Sequence, residues 1–98
     1  MFVSIDFCLV PLGVSTSIAP YIAICQKIIE DKGLVYELYP NGTAIEGDWE
    51  KVFECIKECH KAVHNEGVVR IYSTLKVNTR KDKKQSFREK VPKVQVAL

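Results

Sequence analysis

Hydrophobic and polar residues alternate along two stretches of the chain. The longer stretch, residues 67–80, divides into two sets of side chains. One set is Val69, Ile71, Leu75 and Val77, and the other is Arg70, Tyr72, Thr74, Lys76 and Asn78. Strict alternation predicts a strand with one face on a core. Because the second set carries aromatic and hydrogen-bonding groups, we expect that face to hold a ligand or a partner subunit, with a solvated face as the alternative.

The second alternating stretch, Phe2 to Val10, predicts the first strand. Pro11 should end it, because proline donates no hydrogen bond to a sheet. Two shorter strands, residues 34–39 and 43–47, flank the turn-forming residues Pro40-Asn41-Gly42 and therefore predict a hairpin.

Two other stretches repeat apolar residues at helical spacing. The first stripe is Ile18, Tyr21, Ile22, Cys25, Ile28 and Ile29, and the second is Trp49, Val52, Phe53, Ile56, Cys59 and Val63. Ser15, Thr16 or Ser17 should cap the first helix, and Gly33 should end it. Asp48 should cap the second helix. A last helix is expected from Asp82, with Pro92 stopping or kinking it.

The order strand, helix, strand, strand, helix, strand is the split βαβ plan, an α+β ferredoxin-like sandwich. It predicts one domain over residues 1–98, a sheet of order 4-1-3-2 and an additional C-terminal helix. Right-handed crossovers place both main helices on one face of the sheet. The predicted core is Val3, Ile5, Phe7, Ile22, Ile29, Ile45, Phe53, Ile56, Ile71 and Leu75. Arg70 and Tyr72 should point away from the helices.

Composition narrows the class of protein. At 98 residues, with 47% hydrophobic residues, the chain suits a single core, and a net charge of +2 argues against nucleic acid binding. No apolar run approaches the length of a membrane span, so we expect a cytoplasmic protein with four free thiols. The segment from Lys76 to Lys93 contains eight basic residues and two acidic ones. This basic segment is either a solvated helix face or an anion contact.

The sequence gives little indication of catalysis or metal binding. Cys55, Cys59, His60 and His64 are spaced along the second predicted helix. The cysteine and histidine pairs point about 100° apart, whereas a zinc site needs all its ligands to converge. No nucleophile with an adjacent base is evident. We therefore expect no metal, no cofactor and no enzyme activity.

A carboxylate on the open sheet face has a specific use. It can pair with the ring nitrogen and exocyclic amine of a protonated aminopyrimidine, a charge-assisted contact. Glu46 and Asp6 are the candidates, and Tyr72 could stack on the ring. The alternative is that these carboxylates simply pair with Arg70.

Three motifs, in this order, resemble the thiamine-binding protein family. They are Val10-Pro11-Leu12-Gly13 followed by Ser15-Thr16-Ser17, then Tyr36-Glu37 leading to Gly42-Thr43-Ala44-Ile45-Glu46-Gly47, then Arg70-Ile71-Tyr72-Ser73-Thr74-Leu75-Lys76 with Arg80 and Asp82. The resemblance implies a ferredoxin-like fold that assembles through its sheets into dimers or tetramers. It also implies binding of thiamine or its hydroxymethylpyrimidine moiety without catalysis.

We therefore expect a ligand pocket at or beside a sheet–sheet interface. Its expected lining is Glu46, Thr43, Arg70, Thr74, Tyr72 and Asp6, with Ser15, Thr16 and Ser17 at the rim. The leading hypothesis is a non-catalytic pyrimidine-binding protein that assembles with itself. The alternative is a structural or regulatory homo-oligomer without a small-molecule ligand.

Overall fold

The predicted order of strands and helices is confirmed in the computed structural model, which describes residues 1–98. The elements are β1 (Phe2–Leu12), α1 (Ala19–Asp31), β2 (Val35–Tyr39), β3 (Gly42–Asp48), α2 (Trp49–Asn65), β4 (Arg70–Asn78) and α3 (Phe87–Ala97). The strands form one sheet of order β2-β3-β1-β4, which is the predicted order read from the other edge. All neighbouring strands are antiparallel.

The sheet register sorts the side chains into two faces. Ile5 lies opposite Ile45 on β3 and opposite Val77 on β4. The apolar side chains of β1 pack with α1 and α2 into a core whose members are Val3, Ile5, Phe7, Leu9, Cys25, Ile29, Leu34, Ile45, Val52, Cys55, Ile56, Cys59, Val63 and Val68. Four predicted core residues, Ile22, Phe53, Ile71 and Leu75, are only half-buried. Two of these lie on the edge strand β4, where the helices cover less of the sheet.

Two strand boundaries differ from the prediction. Pro11 does not end β1, because the strand runs on to Leu12 and Pro11 lies opposite Ile71. Beyond Phe7, β1 pairs with β4 alone, and its other side has no neighbouring strand. Proline is tolerated at such an edge position, because its missing N–H breaks no hydrogen bond of the sheet. Val69 precedes β4 and is 91% exposed, so its predicted core position is wrong.

Helix α1 begins later than the serine and threonine residues predict. Its N-cap is Ile18, without a side-chain hydrogen bond, and Ser15 Oγ instead donates to Ser17 O at 3.2 Å. Pro20 in the first turn supplies a backbone already suited to a helix start. The predicted end is confirmed, since Gly33 has a φ of +69°, a left-handed conformation that favours glycine.

Helix α3 lies on the face of the sheet that α1 and α2 leave open. Ser86 is its N-cap and accepts a hydrogen bond from Arg88 N at 3.2 Å. The predicted cap, Asp82, instead pairs with Arg80, whose hydrogen bonds lower the pKa of Asp82 to about 2. The helix continues through Pro92 and does not stop there. No residue of α3 is buried, so this helix is held mainly at its N-terminal end.

Candidate functional site

A cavity of about 290 Å³ opens between α1 and the β2–β3 hairpin. We call it the α1–hairpin cavity. Its walls include Phe7, Leu9, Ile22, Tyr39, Gln26 and Thr43, and no charged residue lines it. Ile22 is half-buried because one side of it borders this space and not the packed core.

Gln26 is the polar group that distinguishes this cavity. Its Nε2 donates to Thr43 Oγ1 at 2.9 Å, while its Oε1 is buried without a hydrogen-bond partner. If the carboxamide were turned over, the nitrogen would be left unpaired in the same way. An unsatisfied buried polar atom costs about 1–3 kcal/mol of stability. Such a group is therefore a candidate for binding a ligand that supplies the missing partner.

Helical spacing along α1 and alternation along β3 place Gln26 and Thr43 on the same side of the sheet. Gln26 lies four residues after Ile22, so both fall on the side of α1 that faces the sheet. Thr43 lies opposite Phe7, so it points toward the helices. Sequence reasoning missed Gln26. A polar residue among the inward-facing positions of an apolar helical stripe was the signal available.

In the structure, the predicted site residues do not converge on one site. Thr43 and Glu46 are three residues apart on one strand and therefore lie on opposite faces of the sheet. Arg70 lies opposite Leu12, whereas Glu46 lies opposite Ser4. Eight residues of strand at ~3.3 Å each separate those positions by about 26 Å. Arg70 therefore cannot pair with Glu46, and it has no ion-pair partner in the structure.

The Glu46 side chain is hydrogen-bonded to the N-terminal end of helix α3. Its side chain accepts hydrogen bonds from Ser86 Oγ and, at 3.0 Å, from Phe87 N. Glu46 is 4% exposed. The carboxylate thus caps the N-terminus of α3, where a negative charge is favoured. A second contact, Arg88 Nε to Glu37 Oε1 at 3.4 Å, holds the same turn of the helix.

The other predicted site residues lie apart from Glu46 along the open face. Asp6 accepts a hydrogen bond from the Tyr39 hydroxyl, and this bond raises the pKa of Tyr39. Thr74 lies opposite Cys8, and Tyr72 lies opposite Val10 and is 61% exposed. As predicted, Arg70 and Tyr72 therefore point away from the two main helices. Ser15, Thr16 and Ser17 are exposed in the loop before α1.

The cysteine and histidine residues of α2 serve the packing of the fold. Cys55 and Cys59 are buried, and hydrogen bonds with neighbouring thiols, led by that with Cys25, raise the pKa of Cys59. His60 Nε2 hydrogen-bonds Ser73 Oγ at 2.6 Å, and His64 Nδ1 donates to Val68 O at 2.8 Å. No three acidic, cysteine or histidine side chains are grouped closely enough to hold a metal ion. All four cysteines are free thiols.

His60 should make the stability of the fold depend on pH near neutrality. Burial lowers the pKa of His60, and the nearby His64 lowers it further. The folded pKa lies below the unfolded value of about 6.5. The stabilisation is therefore complete above the unfolded pKa and is lost as the pH falls from there through the folded pKa. We expect the free energy of unfolding to fall from pH 7.5 to 5.5, by at most about 1.4 kcal/mol per pH unit from this group. Urea titrations at each pH measure it.

The matched variants for this pH dependence are His60→Gln and His64→Gln. An amide at position 60 can still hydrogen-bond Ser73 but does not titrate, so His60→Gln should flatten the pH profile. His64→Gln should retain most of the slope. If His60→Gln and the wild type show the same slope, His60 does not cause it.

The sheet and its helices define a small ferredoxin-like α+β domain, with a cavity between α1 and the hairpin that no charged residue lines. Residues 5–95 match the family model described as thiamine-binding protein. The chain therefore belongs to the thiamine-binding protein family, as its sequence motifs indicate.

Relatives at the sequence level carry the family name UPF0045. A protein of Synechocystis is 46% identical over 98 residues, which is 100% of this chain and 81% of the relative. A protein of Methanothermobacter thermautotrophicus is 33% identical over 94 residues, covering 94% of this chain and 95% of the relative.

Solved structures show the same fold. A hypothetical protein of Methanocaldococcus jannaschii aligns with a TM-score of 0.88 at 30% identity, covering 96% of each chain. A Thermotoga maritima protein, whose name associates it with thiamine biosynthesis or salvage, aligns with a TM-score of 0.80 at 23% identity, covering 96% of this chain and 99% of the other. At that identity the second likeness establishes the fold alone. None of the helices has both the length and the apolar character that crossing a membrane requires.

Proposed function

We propose that this protein binds thiamine, or its hydroxymethylpyrimidine moiety, in the α1–hairpin cavity and releases it unchanged. The observation that carries the proposal is the buried Oε1 of the Gln26 side chain, which has no hydrogen-bond partner. The family description, thiamine-binding protein, supports the class of ligand.

The carboxamide matches the edge of an aminopyrimidine. The exocyclic amine of the ring donates a hydrogen bond, and the adjacent ring nitrogen accepts one. An amide offers the complementary pair, as it does when glutamine reads the edge of adenine. The terminal torsion of glutamine is soft, so the amide can turn from Thr43 toward a ligand. Thr43 Oγ1 would then be free to bond the ligand or the turned amide.

The surroundings of Gln26 suit an uncharged aromatic ring. The cavity, at about 290 Å³, is close to the lower end of the usual size range for small-molecule sites, about 300–1,000 Å³. Eight of its 13 lining residues are hydrophobic. No histidine or carboxylate lies among the lining residues, so no general base faces the ring. These features favour binding over catalysis.

Calorimetric titration of the purified protein tests the proposal. Hydroxymethylpyrimidine and thiamine should each bind at one site per chain, whereas a pyrimidine without the exocyclic amine should bind more weakly. Absence of binding by both ligands would contradict the proposal. In that case the alternative, a structural or regulatory homo-oligomer, becomes the leading hypothesis.

We also propose that the protein assembles with itself through the open sheet face. Helix α3 contacts β2 and β3 on that face through Arg88 and Phe87. Two large side chains at the far end of the same face are exposed, Leu12 at 39% and Tyr72 at 61%. Leaving such side chains in water is unfavourable, and burial between two copies would remove them from it.

Light scattering at micromolar concentration should show a dimer or tetramer. Tyr72→Lys places a charge in the proposed interface and should shift the population toward monomer, because a buried unpaired charge is costly. Asn65→Lys, at the exposed end of α2 on the other side of the sheet, is the control. A wild-type protein that scatters as a monomer would contradict the proposed assembly.

A further inference from the structure

A second depression continues from the α1–hairpin cavity along the outer side of α1. Its volume is about 860 Å³, and it shares Ile22, Gln26 and Tyr39 with the cavity. Unlike the cavity, it is lined by two charged residues, Lys27 and Glu30. We call it the outer groove. A ligand whose ring contacts Gln26 could therefore extend into a region of different chemistry.

The two charged residues of the outer groove are not equivalent. Lys27 Nζ lies 3.5 Å from Asp31 Oδ1, an exposed ion pair that directs this lysine toward Asp31. Glu30 has no ion-pair partner in the structure. Glu30 also lies in the last turn of α1, which contains no basic residue. The C-terminal end of a helix carries a partial negative charge, so the helix and the Glu30 carboxylate both favour a cation here.

We infer that the outer groove beside Glu30 is a subsite for the cationic part of a two-part ligand. This inference rests on the proposed function, which places an uncharged aminopyrimidine ring against Gln26. The chemical class is a neutral aminopyrimidine joined by a short linker to a cation. Thiamine, in which one methylene joins the pyrimidine to a thiazolium, belongs to this class.

The spacing along α1 fits such a ligand. Gln26 and Glu30 are four residues apart, so their side chains lie on the same side of the helix about one turn of 5.4 Å from each other. Two rings joined by one methylene span a comparable distance. The N-terminus of α1 also borders the outer groove, but Ala19 lies eleven residues before Glu30, about 16 Å along the axis, so its partial positive charge acts weakly beside Glu30.

The test compares two ligands against two charge-matched variants. Thiamine and hydroxymethylpyrimidine are titrated calorimetrically into the wild type, Glu30→Gln and Glu66→Gln. Glu66, at the end of α2, is exposed and outside the outer groove. Because Glu30 is exposed to solvent, Glu30→Gln should weaken thiamine binding about two- to fivefold and leave the affinity for hydroxymethylpyrimidine unchanged. Glu66→Gln should change neither affinity.

Added salt provides an independent measurement. Screening should reduce the difference between wild type and Glu30→Gln for thiamine and should not affect hydroxymethylpyrimidine. If both ligands bind the wild type and Glu30→Gln weakens neither, or weakens both equally, the cation subsite is wrong while the proposed function stands. If the wild type binds neither ligand, the proposed function fails, and the subsite that rests on it fails too.

Discussion

Replacing Gln26 with leucine should weaken the binding of hydroxymethylpyrimidine by about 1–3 kcal/mol, roughly a five- to 150-fold loss of affinity. The reason is that leucine can neither accept from the exocyclic amine nor donate to the ring nitrogen, and each such neutral hydrogen bond is worth about 0.5–1.5 kcal/mol. Leucine is similar in size to glutamine, so the shape of the α1–hairpin cavity should change little. Calorimetric titration measures the loss.

The free energy of unfolding of the same variant should lie close to that of the wild type. Gln26→Leu removes a buried oxygen that has no partner, and replacing such a group with an apolar one is close to neutral or stabilising. The hydrogen bond to the buried Thr43 hydroxyl is lost as well, which offsets part of the gain. Gln95→Leu, on the exposed surface of α3, is the matched control for both measurements. Undiminished affinity in Gln26→Leu would refute the role assigned to Gln26.

Replacing Glu46 with glutamine should loosen helix α3 without weakening the binding of the pyrimidine. The Glu46 carboxylate accepts from Ser86 Oγ and from Phe87 N, and a hydrogen bond to a charged group is worth about 1.5–3 kcal/mol. A neutral amide keeps the size but loses the charge that favours a helix N-terminus. Hydrogen exchange of the amides in residues 87–97 should therefore accelerate. The free energy of global unfolding should change less, because no residue of α3 is buried.

Glu46→Gln also separates the two candidate positions for the ligand. The sequence-based hypothesis assigns the aminopyrimidine to Glu46, and it predicts a loss of about 1.5–3 kcal/mol of binding for the same substitution. Glu89→Gln, in the first turn of α3 but without a hydrogen bond to the sheet, is the control. If Glu46→Gln loses pyrimidine binding while Gln26→Leu retains it, the ligand lies on the open sheet face.

Gln26 Oε1 differs from the other buried polar side-chain atoms of the fold, because it has no hydrogen-bond partner. Most buried polar groups in folded proteins are hydrogen-bonded. A domain of this size has only a modest net stability, so an unpaired amide is a measurable cost. Sites where sequence and packing disagree in this way are often functional. The cavity beside Gln26 supplies the space that a ligand would need to remove that cost.

Local periodicity alone determined the elements and the faces of the sheet. Alternation along Val3, Ile5 and Phe7 placed one side of β1 on the core, because successive side chains of a strand point in opposite directions. Helical spacing placed Ile29 and Val63 on the same core for a similar reason. The preference for right-handed crossovers then left one plausible arrangement of the four strands. These rules act between near neighbours or on chain topology, so a single sequence reveals them.

Contacts between distant residues were decided by the tertiary structure. The register of β1 against β3 and β4 separates Arg70 from Glu46, although both lie on the open face. The packing of α1 on the hairpin brings Gln26 to Thr43, and the return of the chain after β4 delivers Ser86 to Glu46. Each of these pairs joins segments whose spacing in the sequence carries no periodic signal. Only the offset between strands and the path of the connecting loops determine which side chains meet, and these emerge when the whole core packs.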